Sequence, residues 1–125
     1  MWNSFFSKIV NLFIGEPIER TEEDQRVADE ATEKLTLYHF PTCPFCFRVR
    51  QVLKKLKLNV ELRDIHRYPE YGEELINQGG RSTVPCLRIQ QEDGKVRWMY
   101  ESSEINRFLL DKFGQKRDGT QTDLV

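Results

Sequence analysis

A single α/β domain with a mixed four-stranded sheet and helices on both faces is predicted by three observations. Short strand-like runs alternate with runs of helical apolar spacing in the order βαβαββα. The last two strands are joined by Glu92-Asp93-Gly94, a hairpin turn that makes them antiparallel. Residues 35–113 hold 33 of the 48 apolar residues in the 125-residue, 14.9 kDa chain, so one core of ordinary size is available there and a second is not.

The elements follow in order. Leu35-Thr36-Leu37-Tyr38-His39-Phe40 alternates apolar and polar residues and then meets Pro41, a strand with a stop. Phe45, Val49, Val52, Leu53 and Leu56 recur at helical spacing from Pro44 onward. Val60, Leu62 and Asp64 form a second strand, and residues 69–77 a second helix stopped by Gly79-Gly80. Residues 86–90 and 96–100 read as the third and fourth strands. A last helix starts near Ser102 and buries Ile105, Phe108, Leu109 and Phe113. The two leading βαβ steps call for a parallel pair with crossover helices.

Outside this domain the chain changes character. Residues 1–15 contain nine apolar residues, and as a helix they would gather Trp2, Phe5, Phe6, Ile9, Leu12 and Phe13 on one face, with Ser4, Ser7, Lys8 and Asn11 opposite. Gly15 and Pro17 stop it. At 1.5 Å per residue it spans roughly 20 Å, short of a ~30 Å hydrocarbon layer. No base precedes the apolar run and no small-x-small site follows it, which is unlike a signal peptide. Two placements stay open: peripheral contact with the inner face of a membrane or with a partner, and packing on the chain's own domain. Residues 16–34 form an acidic connector, eight acids to three bases, with an N-cap and first-turn acids at Thr21-Glu22-Glu23-Asp24 that start a short, mostly solvated helix. Residues 114–125 read as a polar tail.

A net charge of −1 removes any global argument for nucleic acid as a partner, and the basic run Arg48, Arg50, Lys54, Lys55, Lys57 reads as a solvated face. Three cysteines in a chain with a real core argue against a secreted disulfide scaffold, so a reducing, cytoplasmic setting is expected.

The chemistry is expected at Cys43-Pro44-Phe45-Cys46, where the first strand ends and the first helix begins. Pro44 suits the first helical position and makes Cys43 the N-cap, whose sulfur can accept from the free N–H groups of Phe45 and Cys46 and feels the positive end of the helix dipole. That placement favours the thiolate, the nucleophilic form. Cys46, one turn on and less exposed, is placed to attack a mixed disulfide on Cys43, so Cys43 attacks and Cys46 resolves. Arg48 and Arg50 would add positive potential. A zinc site completed by Cys86, His39 or His66 is the competing reading, without a second ligand pair in the sequence.

Together with Thr83-Val84-Pro85 before the third strand and Tyr100-Glu101-Ser102-Ser103 opening the last helix, this motif resembles a dithiol glutaredoxin and the N-terminal domain of glutathione transferases over residues 35–113. The resemblance implies a thioredoxin-like fold and a glutathione-linked thiol–disulfide oxidoreductase that reduces disulfide-containing or glutathionylated proteins, with glutathione as co-substrate and no metal. It implies that Pro85 is cis, that Val84, flanked by Thr83, holds the cysteinyl part of glutathione through its backbone, and that Glu101 and Ser102 grip the γ-glutamyl end, Ser102 serving also as an N-cap. Many glutaredoxins carry a lysine three residues before the first cysteine; here that position is Phe40, and Arg81 is the candidate to supply the charge. Cys86, beside Pro85, reads as an inert buried thiol. Three other functions compete: an iron–sulfur cluster shared by two chains, against which Pro44 stands; a transferase-like enzyme, for which no helical second domain follows; and a tethered interaction protein.

Overall fold

The computed structural model describes residues 17–114. The expectations for residues 1–15 and for the tail beyond Gly114 lie outside them.

Thr21 is the N-cap of α1 (Glu22–Thr32); its hydroxyl accepts from the Asp24 N–H at 3.0 Å, and three acids fill the first turn. The strands are β1 (Leu35–His39), β2 (Glu61–Asp64), β3 (Cys86–Gln90) and β4 (Val96–Met99). Between and after them lie α2 (Pro44–Lys55), α3 (Pro69–Glu74) and α4 (Ser102–Phe113). The helix expected over residues 69–77 is α3 continued by a wider π turn, Leu75–Gly79, and Gly80 at φ 95° closes it in the left-handed conformation that a side chain disfavours.

The sheet order is β2-β1-β3-β4. Only the first βαβ step gives a parallel pair, β1 with β2; β3 runs antiparallel to β1 and β4 antiparallel to β3. The second step therefore carries the chain across to the other side of β1 with its direction reversed, and the expected crossover rule applies to one step. The hairpin forms as expected, with Gln91 N–H donating to Lys95 O at 2.8 Å and Gly94 at φ 88° in the turn.

Because β1 is central and covered on both faces, all five of its residues are buried, Thr36 and His39 included. The alternation read from the sequence separates two apolar layers, one on each face of the sheet. Leu35 and Leu37 join Val49, Leu53, Leu87, Ile105 and Leu109 on the side where α2 and α4 pack. Tyr38 joins Leu75 and Cys86, with Ile65, Tyr71, Val84, Trp98 and Tyr100 around them. Each fully buried leucine in the first layer contributes about 2 kcal/mol by removing its side chain from water.

The connector is more than a solvated spacer. Ala28 is buried in the main core, with Ile18 and Ala31 packed against it. Arg20 donates to Leu56 O and, at 2.8 Å, to Phe113 O, so one guanidinium binds carbonyls at the C-terminal ends of both α2 and α4, where the dipoles are negative.

Candidate active site

Topology assembles the site at one end of the sheet. β1 leaves the sheet at His39 and leads into Cys43; the register Tyr38↔Cys86 puts the start of β3, and hence Val84-Pro85, beside that exit. The register Leu87↔Met99 brings the end of β4, and hence Tyr100-Glu101-Ser102, to the same end. Sequence positions 43, 84, 85, 101 and 102 thus converge because β1 and β4 finish where β3 starts.

Cys43 is the N-cap of α2, with Pro44 at the first helical position, as the sequence requires. Cys43 N–H donates to Phe40 O at 3.1 Å, closing the turn, and Cys43 Sγ accepts from Cys46 N–H at 3.3 Å. Both cysteines are free; Cys43 keeps 6% of its surface and Cys46 none, the order of access that an attacking and a resolving thiol need. Burial pushes the Cys46 thiol up to about 12, helped by its hydrogen bond with Cys43 and opposed by a backbone hydrogen bond from Phe40 and by the Arg50 charge.

Arg50, expected with Arg48 only to add positive potential, is tied into the site by hydrogen bonds. It donates to His39 Nδ1 at 3.1 Å and to Pro41 O at 3.2 Å. Burial, with the adjacent Arg50 charge, holds His39 below the usual histidine range despite Asp64, so at neutral pH its Nδ1 is a free acceptor for Arg50. Arg48 instead lies over the Phe45 ring, 5.7 Å from its centre. Phe40 is stacked on His66, ring centres 4.0 Å apart and 15° from parallel.

On the opposite strand the Val84-Pro85 bond is cis. Ser102 is not the N-cap: Glu101 holds that position with no side-chain capping bond, because its extended backbone (φ −94°, ψ 128°) precedes a helix that begins at Ser102. The backbone N–H groups of the first turn of α4 are thus not capped by Glu101. Arg81 lies over the Tyr100 ring at 4.8 Å, and the Tyr100 hydroxyl accepts from Arg81 N–H and donates to Arg81 O. Tyr100, quoted in the motif without a role, is what fixes the backbone before Ser82-Thr83. Cys86 is fully buried and pushed up to about 12 by that burial, despite the Tyr100 hydroxyl and the Arg81 charge. Among the described residues no cluster of three or more His, Cys, Asp or Glu is positioned to hold a metal ion, so Cys43, Cys46, Cys86, His39 and His66 do not assemble as a zinc set. No helix of these residues is long and apolar enough to cross a membrane.

The dithiol at the head of α2 and the topology around it define the class: a thioredoxin-like fold carrying a Cys43-Pro44-Phe45-Cys46 pair at the start of its first crossover helix. The glutaredoxin family profile matches residues 35–93. Among solved structures, glutathione transferase E6 from Drosophila melanogaster is 28% identical with a TM-score of 0.50, covering 64% of this chain and 35% of its own. An epsilon-class glutathione S-transferase from the housefly Musca domestica is 28% identical at TM-score 0.53, covering 73% and 40%. Glutathione transferase Omega 2C from Trametes versicolor is 26% identical at TM-score 0.51, covering 65% and 38%. The alignments span about two fifths or less of the length of these transferases. No curated protein sequence matches the chain. The chain is a thioredoxin-fold protein related to glutaredoxins and to the N-terminal domain of glutathione transferases, with a helix, α1, added before the first strand.

Proposed function

We propose that the protein reduces glutathione mixed disulfides and protein disulfides, drawing electrons from glutathione in a reducing compartment such as the cytoplasm. The observation that carries this is the pairing of a partly accessible N-cap Cys43 with a fully buried Cys46 one turn along the same helix. Cys43, as thiolate, attacks one sulfur of the substrate disulfide; the S–S bond breaks, the other sulfur leaves as a thiolate, and Cys43 carries a mixed disulfide. In one route a glutathione thiolate attacks that bond, regenerating Cys43 and forming oxidised glutathione. In the other, Cys46 loses its proton, attacks Cys43 and releases the second thiol, leaving a Cys43–Cys46 disulfide for two glutathiones to reduce.

The glutathione itself is assigned to the converging end of the sheet. Val84, beside Thr83 and the cis Pro85, offers a backbone N–H and C=O to an extended cysteinyl unit. The first-turn N–H groups of α4 at Ser102, with Glu101, suit the charged γ-glutamyl end. Arg81 takes the glycine carboxylate in place of the lysine absent at Phe40. Proteins with disulfides or glutathionylated cysteines are the partner class.

The test is turnover of a glutathionylated peptide with glutathione and glutathione reductase. Cys43→Ser abolishes it and Cys46→Ser leaves it largely intact, because only the dithiol route needs Cys46. Undiminished turnover by Cys43→Ser overturns the proposal.

A further inference from the structure

A groove of about 870 Å³ runs along the outer seam between α2 and α4 and ends at the active-site cysteine. Pro41, Cys43 and Pro44 line one end, and Val52 and Lys55 the other; Asn106 and Leu110 come from α4. It is apolar for a surface feature: Phe47 is 51% exposed and Leu110 39%. Asn106 contributes a buried Oδ1 with no hydrogen-bond partner among the described residues, an acceptor open to a donor brought in from outside.

What fits this groove is indicated by where the described chain begins. Ile18 N–H donates to Lys55 O at 3.0 Å, and Arg20 bonds carbonyls at the C-terminal ends of α2 and α4. The described chain therefore begins at the Lys55 end of the same seam. In the sequence before it, residues 2–14 carry Trp2, Phe5, Phe6, Ile9, Leu12 and Phe13 at helical spacing, followed by Gly15. Thirteen helical residues span roughly 20 Å and the twelve of α2 roughly 18 Å. As a helix turning back at Gly15 and running beside α2, this segment would bring Phe13 level with Lys55, Phe6 level with Phe47 and Trp2 level with Cys43.

We propose that residues 2–14 dock as a helix in the α2–α4 groove of their own chain, parallel to α2, covering Phe47 and Leu110. Entry point, length and apolar complementarity agree, and a helix held by its own chain needs no second molecule to be ordered. The docking does not depend on the redox assignment.

The test uses the full chain with the photoreactive residue benzoylphenylalanine placed at position 6 or at position 13, irradiated as an equal mixture of nitrogen-15-labelled and unlabelled protein. The expected products join the segment to the Pro44–Phe47 end from position 6 and to the Val52–Lys55 end from position 13, within chains of one isotope. Leu110→Asp, at an exposed position that the fold tolerates, is expected to reduce these products about tenfold by placing a charge under the apolar face. Mixed-isotope products at the groove would assign it to a second copy and overturn the proposal. So would labelling confined to other surfaces, products indifferent to Leu110→Asp in a protein of unchanged circular dichroism, or loss of the groove products on adding anionic lipid vesicles, which would assign the segment to a membrane.

Discussion

The backbone N–H of Cys46 donates to the sulfur of Cys43 at 3.3 Å, so the first turn of α2 links the two thiols while burying only one of them completely. The pair thereby has unequal access, and burial raises the Cys46 thiol, with measurable consequences.

The first concerns alkylation. With Cys46 and Cys86 each raised to about 12 mainly by burial, fewer than about one in a hundred of either thiol is ionised at pH 10. In folded Cys43→Ser protein, iodoacetamide at pH 8 should leave both unmodified by mass spectrometry, with modification rising only as the pH approaches 12 or the protein unfolds. Ready labelling of Cys46 at pH 8 would show that it is not buried in solution.

His39 sets a second prediction. Its folded pKa lies below the usual value of about 6.5, so between the two values the unfolded chain binds a proton that the native state refuses. Stability contributed by the neutral imidazole is complete above pH 6.5 and is lost as pH falls through that value towards the folded one. Urea midpoints should decline over this window, and His39→Asn, whose Oδ1 can replace Nδ1 as acceptor for Arg50, should flatten the decline. Asp64 acts separately: Arg67 and His66 backbone N–H groups hold its carboxyl below the usual range, so its contribution is lost only at lower pH.

Gly79 tests the floor beneath the Arg81 loop. A Cβ there would stand 2.8 Å from the Trp98 ring and closer still to the Tyr100 hydroxyl. Gly79→Ala should destabilise the protein by about 1–3 kcal/mol through overpacking and displace the phenol that holds the Arg81 backbone. A higher KM for glutathione than in the wild type, with the Cys43 alkylation rate unchanged, is the expected kinetic signature.

Arg20→Met removes donors from Leu56 O and Phe113 O while keeping much of the side-chain volume. A loss of about 1–3 kcal/mol is expected in denaturant unfolding, with local opening at the ends of α2 and α4 seen by hydrogen exchange. Unchanged stability would show that solvent replaces both bonds without loss.

Much of this was legible without coordinates because the signals are local. Pro44 after Cys43 specifies an N-cap wherever the helix lies, the Asp93-Gly94 turn specifies a hairpin, and Thr21 followed by acids specifies the start of α1; each depends on contacts within a few residues. The alternation in β1 separated its two faces correctly but gave no warning that Thr36 and His39 would be buried, since that depends on layers packed from above and below.

The sequence by itself determined the redox pair, the element order and the positions at which the chain turns. Only the tertiary structure decided that β3 runs antiparallel to β1, that Glu101 rather than Ser102 precedes the last helix as its cap, and that Arg50, alone in a run of five bases, reaches His39. It also decided that Arg20, one base among the connector's many acids, binds the ends of two helices 36 and 93 residues away. The physical reason is the range of the interactions. Caps and turns are fixed by neighbours along the chain, whereas strand direction, burial of a polar side chain and the partner of a long guanidinium are fixed by whichever distant segment packing brings alongside.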